Sequence, residues 1–338
     1  MCQAEATSRG ARHCAGAPSR DAWGLLIMEM ARWRHHLALV LVAGGLLGCG
    51  AEPLHPFLAS RSKPLIFAHR GGGGITPEET LPTFLRAQGE DASAVIEMDV
   101  RRTADGALVL LHDETVDRTT NGTGAVASLT LAQVQALDAG HCARPGVGDG
   151  TAAAAECRTL AASQFPFRGQ GYRVPLLTEV LAALPLGTSI SVELKVPGPE
   201  AEVARLVRES GHLPNAVVGS ESDEIAERLR DLLPGTANFL PRNAAVCFTV
   251  AAKTGVLKGS CPDYALFASP LEGAGLALDT ERVINGAHSV GMAMVYWTIN
   301  SEPVMERLFL RGADGVFTDY PDRARSVIAR LRRDGRLP

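Results

Sequence analysis

From residue 65 onward, short apolar segments alternate along the chain with longer amphipathic ones. The apolar segments are rich in Val, Ile and Leu and are only a few residues long, which is typical of buried strands. The amphipathic segments repeat their apolar positions every three to four residues, which is typical of helices that pack on one face. This alternation predicts an α/β fold in which helices cover a mostly parallel sheet.

Nine segments are candidate strands, at residues 65–69, 94–100, 107–113, 189–195, 216–220, 237–240, 264–269, 293–300 and 315–320. The candidate helices lie at residues 80–90, 130–139, 176–185, 200–210, 222–233, 279–290, 301–312 and 321–335. We predict a (β/α)8 TIM barrel, and because that fold has eight strand positions, one candidate must lie outside the ring. Segment 237–240 is the weakest candidate.

The barrel is predicted to be locally irregular between its second and third strand candidates. Only residues 101–107 join them, which is too short for a helical crossover, and Asp105-Gly106 indicates a turn. Such a turn would bring Glu97 and His112 to the same end of the sheet. Two further stretches, 141–172 and 241–263, are predicted to be loops at the rim, where substrate choice usually resides.

Composition and charge restrict the class of protein. The 338 residues, 46% of them hydrophobic, suit one barrel of roughly 250 residues with additional segments. The net charge is −4 and no basic block with interleaved aromatic residues occurs, so we predict no nucleic-acid partner. The expected organisation is a leader at 1–49, a linker at 50–63 and one barrel domain at 64–338.

The leader resembles a bacterial lipoprotein signal. A basic segment precedes a short apolar run that ends in Leu47-Gly48-Cys49, and the run is too short to span a bilayer. We expect Cys49 to become the lipidated first residue, so that the protein is exported to the cell envelope and meets a membrane only through this anchor. The alternative is an ordinary secretory signal with an incidental cysteine. We expect translation to start at Met28 or Met30, which would place residues 1–27 outside the true protein.

Cysteine use agrees with export. Besides Cys49 and two cysteines of the first 27 residues, four remain: Cys142, Cys157, Cys247 and Cys261. An even number of cysteines in an exported protein suggests disulfides, and the pairing of sequence neighbours, 142–157 with 247–261, is favoured among three connectivities. Each bond would close a loop of about 15 residues and contribute roughly 3 kcal/mol in the chain-entropy treatment.

Acidic residues on the strand candidates suggest a metal site. Glu97 and Asp99 are two residues apart on one strand candidate, so their side chains point to the same face. Two carboxylates buried together repel each other unless a cation or proton neutralises them. Glu193 lies in another apolar strand candidate, and no Cys or His stands at ligand spacing, which favours Ca²⁺ or Mg²⁺ over zinc.

A series of motifs in this order resembles the glycerophosphodiester phosphodiesterases. They are His69-Arg70-Gly71, Pro77-Glu78-Glu79-Thr80, Glu97-x-Asp99, Thr103-x-Asp105-Gly106, His112-Asp113, Arg118-Thr119-Thr120, Pro175-Leu176-Leu177-x-Glu179, Glu193-Leu194-Lys195, Trp297-Thr298-Ile299-Asn300 and Gly315-Val316-Phe317-Thr318-Asp319-Tyr320-Pro321. Together they cover about residues 65–330. The resemblance implies a phosphodiester-cleaving barrel with a divalent metal, commonly calcium or magnesium, that releases sn-glycerol 3-phosphate and an alcohol from a small glycerophosphodiester.

The resemblance also implies roles for individual residues. His69 and His112 would be the acid–base pair, since imidazole titrates near neutral pH. The metal would be held by Glu97, Asp99 and Glu193. Substrate contacts would then come from Arg70, with a planar fork for phosphate, from Lys195, with a point charge, and from Trp297 at a late strand end. The nucleophile is either water or the substrate's own hydroxyl.

One position departs from the family pattern, because Glu79 stands where the family usually has Asn. This adds a negative charge near the phosphate site; Glu79 either faces solvent or alters metal or substrate preference. A second candidate activity is that of a phospholipase D acting on lysophospholipids or sphingolipids. Such an enzyme would need a more apolar entrance to its site than the Gly-, Ala- and Arg-rich rim stretches 141–172 and 241–263 suggest. A binding protein on a degenerate barrel is disfavoured, because both histidines and all three carboxylates are present.

Overall fold

The computed structural model describes residues 53–148, 150–151, 154–255, 257, 264–273 and 275–338. The predicted leader with Cys49 lies outside the described residues, and so does the second predicted disulfide, because it requires Cys261. Among the residues that are described, none belongs to a helix with the length and apolar character needed to cross a membrane.

The strands are Leu65–Ala68 (β1), Val95–Arg102 (β2), Leu108–Leu110 (β3), Ser189–Leu194 (β4), Ala216–Gly219 (β5), Leu266–Ser269 (β6), Glu272–Gly273 (β7), Leu276–Ala277 (β8), Ala293–Tyr296 (β9) and Gly315–Thr318 (β10). The α-helices are Pro56–Ala59 (α1), Leu81–Glu90 (α2), Leu131–Gln135 (α3), Ala154–Thr159 (α4), Leu177–Ala183 (α5), Glu200–Glu209 (α6), Asp223–Leu232 (α7), Arg242–Thr254 (α8), Glu281–Ser289 (α9), Glu302–Leu310 (α10) and Pro321–Arg333 (α11).

Seven strands form one parallel sheet in the order β5-β4-β2-β1-β10-β9-β6. Residues 237–239, here called the closing segment, join its two edges. Ala237 forms a parallel bridge with Val217 of β5, and Phe239 forms one with Leu266 of β6. Within the described residues this gives a ring of eight parallel segments alternating with helices, so the predicted (β/α)8 barrel is confirmed.

The prediction of which strand candidate lies outside the ring is wrong. Segment 237–240, the weakest candidate by sequence, contains the closing segment. The candidate outside the ring is 107–113, because β3 pairs with β2 in the antiparallel direction. The turn at Asp105-Gly106, where Gly106 has a φ of 89°, reverses the chain within a few residues, and a strand that returns in this way cannot take a parallel position. The predicted irregularity between the second and third candidates is therefore confirmed.

The interior of the barrel, away from the carboxyl ends of its strands, is filled mainly with apolar side chains; this end is here called the lower part. The interior cluster includes Leu65, Phe67, Val95, Val217, Phe239, Leu266, Val295 and Phe317. The rings of Phe67 and Phe317 stack with their centroids 4.4 Å apart. Two outer clusters fill the space between the strands and the surrounding helices. Above this apolar packing, the charged side chains predicted to form a site lie toward the carboxyl ends of the strands.

The stretch 241–263 was expected to be a rim loop, and this expectation is wrong for residues 242–254, which form α8. Ala244, Phe248, Ala251 and Ala252 are buried at spacings of four, three and one residues, which is the apolar stripe of a helix. The apolar stripe of this helix is present in the sequence, and Cys247, which was predicted to close a disulfide loop, lies within α8.

Two other segments refine the expected organisation. In the predicted linker, α1 buries Phe57 and Leu58 against the interior cluster of the barrel. In the 141–172 insertion, Cys142 and Cys157 form the predicted disulfide, with their Cα atoms 5.2 Å apart. The disulfide therefore closes part of the insertion into a loop, and α4 contains the second cysteine, Cys157.

Candidate active site

The residues predicted to form a site converge on the carboxyl ends of the barrel strands. His69 and Arg70 follow β1 directly, while Glu97 and Asp99 lie on β2. Asp99 is the register partner of Glu193 on β4, so these two carboxylates stand at the same level of the barrel. Lys195 follows β4, and Trp297 follows β9. In barrels of this kind the carboxyl ends of the strands carry the active site.

The turn after β1 lets its backbone approach the neighbouring strand. Arg70 adopts a left-handed conformation with a φ of 52°, and its backbone N–H donates to Oε2 of Glu97 at 2.6 Å. The glycines that follow permit close packing, since a Cβ on Gly74 would lie 2.5 Å from the ring of Tyr320. The run of glycines thus forms a loop and is also required for close packing around the site.

Each predicted catalytic histidine is paired with an aspartate through Nδ1. The Nδ1 atom of His69 lies 2.7 Å from Oδ1 of Asp319, and that of His112 lies 2.8 Å from Oδ1 of Asp113. A carboxylate beside Nδ1 favours the tautomer in which Nδ1 carries the ring proton. The Nε2 atom of each ring is then left to accept or donate a proton in the site. Asp319 is held in turn by the side-chain amide of Asn300 at 2.6 Å.

Three buried carboxylates form a compact cluster, here called the acidic triad: Glu79, Glu97 and Asp99. One oxygen from each lies within 4.8 Å of the others, and all three side chains are buried. Burial, with the nearby charge of Asp99, raises the pKa of both Glu97 and Glu79 well above the ordinary value. Burial would also raise the pKa of Asp99, but Lys195, His112 and Arg70 outweigh it and lower that pKa to about 2.

Glu193, a predicted metal ligand, lies beside the acidic triad and is engaged by Lys195. Nζ of Lys195 stands 2.6 Å from Oε1 of Glu193 and 3.0 Å from Oδ1 of Asp99. Burial raises the pKa of Glu193 to about 7 although Lys195 opposes this shift. Lys195 therefore bridges the two register partners and compensates part of the negative charge.

Sequence reasoning did not assign a role to Glu78 or Arg118, although both lie inside the quoted motifs. Glu78 is buried and accepts hydrogen bonds from Nη1 of Arg70 at 3.0 Å and from both terminal nitrogens of Arg118 at 2.6 and 2.8 Å. Although burial opposes ionisation, the two guanidinium groups hold the pKa of Glu78 well below its usual range. Arg118 also donates to Asp113, so one network joins the residues that orient Arg70 and His112.

The disulfide-bonded insertion reaches the same network. Oγ1 of Thr151 donates to Oε2 of Glu78 at 3.0 Å, and the backbone N–H of Gly146 donates to the carbonyl of Gly74 at 2.9 Å. The hydroxyl of Tyr320 donates to the carbonyl of Gly148 at 3.0 Å. The insertion thus packs on the turn after β1, as expected for a rim element.

Trp297 is 42% exposed, although it follows directly after the fully buried Tyr296. Its backbone N–H donates to the carbonyl of Ser269 at the end of β6. A large aromatic ring at a strand end that is left open to solvent can line the approach to the site. Its contact with substrate stays a prediction.

The acidic triad has the chemistry of a site for a hard divalent cation. Oε2 of Glu79 and both carboxylate oxygens of Asp99 are buried without a hydrogen-bond partner among the described residues, although Lys195 and Arg70 face Asp99 as charges. Buried carboxylate oxygens are costly unless they are paired or coordinate a metal. An all-oxygen donor set suits Ca²⁺ or Mg²⁺ and does not suit the softer metals that prefer nitrogen or sulfur.

The fold and the groups at the carboxyl ends of its strands together define a barrel enzyme. It has an acidic pocket, two oriented imidazoles and cationic side chains suited to an anionic substrate. The chain belongs to the glycerophosphoryl diester phosphodiesterase family, whose sequence model matches residues 69–323.

Individual relatives agree with this membership. A glycerophosphodiester phosphodiesterase of Bacillus subtilis is 32% identical over 306 residues, which cover 85% of this chain and 95% of that protein. The crystal structure of a glycerophosphodiester phosphodiesterase from Agrobacterium tumefaciens is 25% identical, with a TM-score of 0.58, over 78% of this chain and all of that one. A phosphodiesterase of Oleispira antarctica, solved in complex with sn-glycerol-3-phosphate, shares the fold with a TM-score of 0.57 at 23% identity, over 79% of this chain and 97% of that one.

Proposed function

We propose that this protein hydrolyses glycerophosphodiesters to sn-glycerol 3-phosphate and an alcohol, with His69 and His112 as the acid–base pair and a divalent metal held by buried carboxylates. The single observation that carries the proposal is the placing of two aspartate-oriented imidazoles around one acidic pocket. In their protonated form both imidazoles, after the larger effect of Lys195, would lower the pKa of Asp99. Membership of the phosphodiesterase family supports the substrate class, and so does the activity after which the relatives are named.

Phosphodiesters resist hydrolysis because the anion repels nucleophiles and the alkoxide is a poor leaving group. Glu97 and Asp99, with Glu193 at the edge, would hold the metal, which when bound polarises a phosphate oxygen as a Lewis acid. Arg70 and Lys195 supply positive charge at the same end of the barrel. Arg70 is fixed by Glu78 through Nη1, and its Nε faces Oδ2 of Asp99 at 3.6 Å, so the guanidinium supplies positive charge beside the acidic pocket.

The two histidines divide the proton transfers. One imidazole takes the proton of the nucleophile, which is water or the substrate's own hydroxyl, and the other gives a proton to the departing alcohol oxygen. Where the substrate's hydroxyl attacks, a water molecule then opens the cyclic phosphate to give sn-glycerol 3-phosphate. Asp319 and Asp113 stabilise the imidazolium that each ring becomes, and they keep Nε2 directed at the substrate. His69 follows β1 and His112 follows β3, so the two rings belong to different elements of the fold.

The proposal is tested by measuring glycerol 3-phosphate release from glycerophosphocholine by the purified full-length protein, with EDTA, Ca²⁺ or Mg²⁺. A parallel assay measures choline release from a long-chain lysophosphatidylcholine. We expect metal-dependent turnover of the first substrate. Turnover of the second alone would replace the proposal by a phospholipase D directed at lipids, and silence on both by a folded protein would refute the hydrolase assignment.

His69→Ala and His112→Ala should each lower turnover by roughly 10²- to 10⁴-fold without unfolding the protein. The matched control is His55→Ala, because His55 caps α1 and contacts the carbonyl of Gly235, away from the strand ends that carry the site. A His69 or His112 variant that kept the rate of the control would remove that residue from the acid–base pair.

We also propose that the mature protein is exported and anchored in the cell envelope by a lipid on Cys49. The support is the sequence pattern of the leader together with the disulfide between Cys142 and Cys157, which needs an oxidising compartment. Metabolic labelling with a clickable fatty acid should mark the wild-type protein and leave Cys49→Ala unmarked. Equal labelling of both, or release of the wild type in soluble form, would contradict the anchor.

A further inference from the structure

Glu79 occupies a backbone conformation that glutamate rarely adopts. Its φ is 56°, in the left-handed region, where Asn is enriched and longer side chains are uncommon. The family motif usually has Asn at this position, so the turn itself follows the family while the side chain does not. A glutamate held in such a conformation requires surroundings that over-determine it, and its carboxylate is therefore the group to examine.

The turn directs the Glu79 carboxylate inward, toward β2. The side chain is only 3% exposed, and Oε1 accepts a hydrogen bond from the backbone N–H of Asp99 at 3.1 Å. That N–H is available because β1 pairs with β2 only as far as Ile96. Of the two alternatives that the sequence left open, exposure of Glu79 to solvent is excluded, and its second oxygen, Oε2, is buried without a hydrogen-bond partner among the described residues.

The oxygen atoms of Glu79 are part of the acidic triad. They meet those of Glu97 and Asp99 within 4.8 Å, whereas Glu193 is engaged by Lys195. Asp99 is 1% exposed, and its oxygens likewise have no hydrogen-bond partner among the described residues, although Nζ of Lys195 faces Oδ1 at 3.0 Å. Two features therefore coincide at one point: a compact set of carboxylates, and a buried oxygen of Glu79 for which the described part of the chain offers no donor.

The charge balance of the pocket matches one divalent ion. Four carboxylates face it, from Glu79, Glu97, Asp99 and Glu193, against two cations, Arg70 and Lys195. With every group ionised the sum is −4 + 2 = −2, which one divalent cation neutralises. With Asn in place of Glu79, as in the family pattern, the same sum would be −1.

We infer that Glu79 is a direct ligand of the metal ion in this protein, together with Glu97 and Asp99, so that its site has one more anionic ligand than the family pattern provides. This rests on the metal-dependent function proposed above. More carboxylate ligands raise the affinity of an oxygen site for a hard cation. The site therefore binds its divalent ion in the absence of substrate, with Glu79 contributing directly to that affinity.

The experiment is isothermal titration of metal-free, full-length protein with Ca²⁺ and with Mg²⁺, in the absence of substrate. The variants are Glu79→Gln, which keeps shape and removes charge, and Glu79→Asn, which restores the family residue and suits the left-handed turn. We expect each to weaken Ca²⁺ binding by about tenfold or more, equivalent to about 1.4 kcal/mol. The matched control is Glu114→Gln, which removes an exposed carboxylate close to His112 in sequence.

Thermal unfolding provides a second readout that does not depend on activity. Because Glu79→Gln removes a buried like charge, it should raise the melting temperature in EDTA and diminish the further rise that Ca²⁺ produces. Glu79 variants that bind Ca²⁺ as the Glu114→Gln control does would overturn the assignment of Glu79.

The outcomes separate this inference from the proposed function. If wild-type protein binds Ca²⁺ and the Glu79 variants do not, but glycerophosphocholine is not hydrolysed, the ligand assignment stands and the substrate is wrong. If wild-type protein hydrolyses glycerophosphocholine in EDTA and binds neither ion, both the ligand assignment and the metal dependence are refuted.

Discussion

At the residue scale, the site is built from pairs in which one charged side chain fixes another. Asp319 holds His69, Asp113 holds His112, and Glu78 holds Arg70. The sequence motifs contain these partners as well, but they do not show which side chain each partner contacts. For Asp319, 250 positions from His69, only the closure of the barrel brings the two together.

Asp319→Asn should lower kcat by roughly 10²- to 10⁴-fold, because an amide can donate to Nδ1 of His69 and so favour the wrong tautomer. Steady-state kinetics over a range of pH, with circular dichroism as a check of folding, measure this effect. The matched control is Asp334→Asn, at the exposed end of α11. If Asp319→Asn keeps both the rate and the pH profile of the control, Asp319 does not position His69.

At the scale of elements, most strands and helices followed from the periodicity of apolar positions. Two exceptions concern the barrel itself: α8, which was predicted as a loop, and the closing segment, ranked below β3 although it completes the ring. The short elements α1, α4, β7 and β8 were not predicted either. The closing segment makes only one bridge on each side, so its short apolar run has little of the pattern of a strand. Its place in the barrel depends on its neighbours β5 and β6, which is tertiary information.

The 141–172 insertion allows a test that joins stability to the site. Replacing both Cys142 and Cys157 by Ala should lower the free energy of unfolding by about 3 kcal/mol, because the closed loop spans 15 positions. It should also raise KM, because Thr151 in this loop holds Glu78, which orients Arg70. Urea unfolding and steady-state kinetics measure the two effects.

Wild-type protein treated with a reductant is the control for the double cysteine variant, and it should show the same change in stability and in KM. A variant that loses stability while KM stays at the wild-type value would show that the insertion does not position the substrate-binding cations.

At the scale of the whole molecule, one end of the barrel carries the site and the other end holds neighbouring elements together. The carboxyl ends carry the site, while Asp314, just before β10, joins several elements at the opposite end. Its buried carboxylate forms ion pairs with Lys63 and with His288, the latter at 2.7 Å, and it accepts the backbone N–H of Met294 at 2.7 Å. This arrangement fastens the segment before β1 and the helix α9 to the lower rim of the barrel.

Asp314 should make stability depend on pH. Burial opposes ionisation, but hydrogen bonds from His288 and Lys63 prevail and lower the pKa of Asp314. Because the pKa is lower in the folded than in the unfolded chain, the stabilisation is fully present above about pH 4, the unfolded value, and is lost as the pH falls through the folded value. Wild type should therefore exceed Asp314→Asn in unfolding free energy by about 2 kcal/mol at pH 7 and by less at pH 3.

Urea unfolding at the two pH values measures this difference, with Asp231→Asn, on the exposed side of α7, as the control. A gap between wild type and Asp314→Asn that is equal at pH 7 and pH 3 would contradict the role assigned to the Asp314 carboxylate.

The sequence by itself determined the α/β barrel, the irregular turn at Asp105-Gly106, the disulfide between Cys142 and Cys157 and the family. These depend on local periodicity, turn chemistry and the order of motifs, which are properties of neighbouring residues. It also indicated two carboxylates on one face of β2, because alternate residues of a strand share a face.

Only the tertiary structure decided which carboxylates share the pocket. Glu79 could have faced solvent, and it joins Glu97 and Asp99 because a left-handed turn folds it back onto the part of β2 that β1 leaves unpaired. Glu193, which the sequence grouped with Glu97 and Asp99, lies at the edge of the pocket, where Lys195 bridges it to Asp99. Such choices follow from distances across the closed barrel and from the balance of charge among buried groups, and neither quantity is contained in the spacing of residues along the chain.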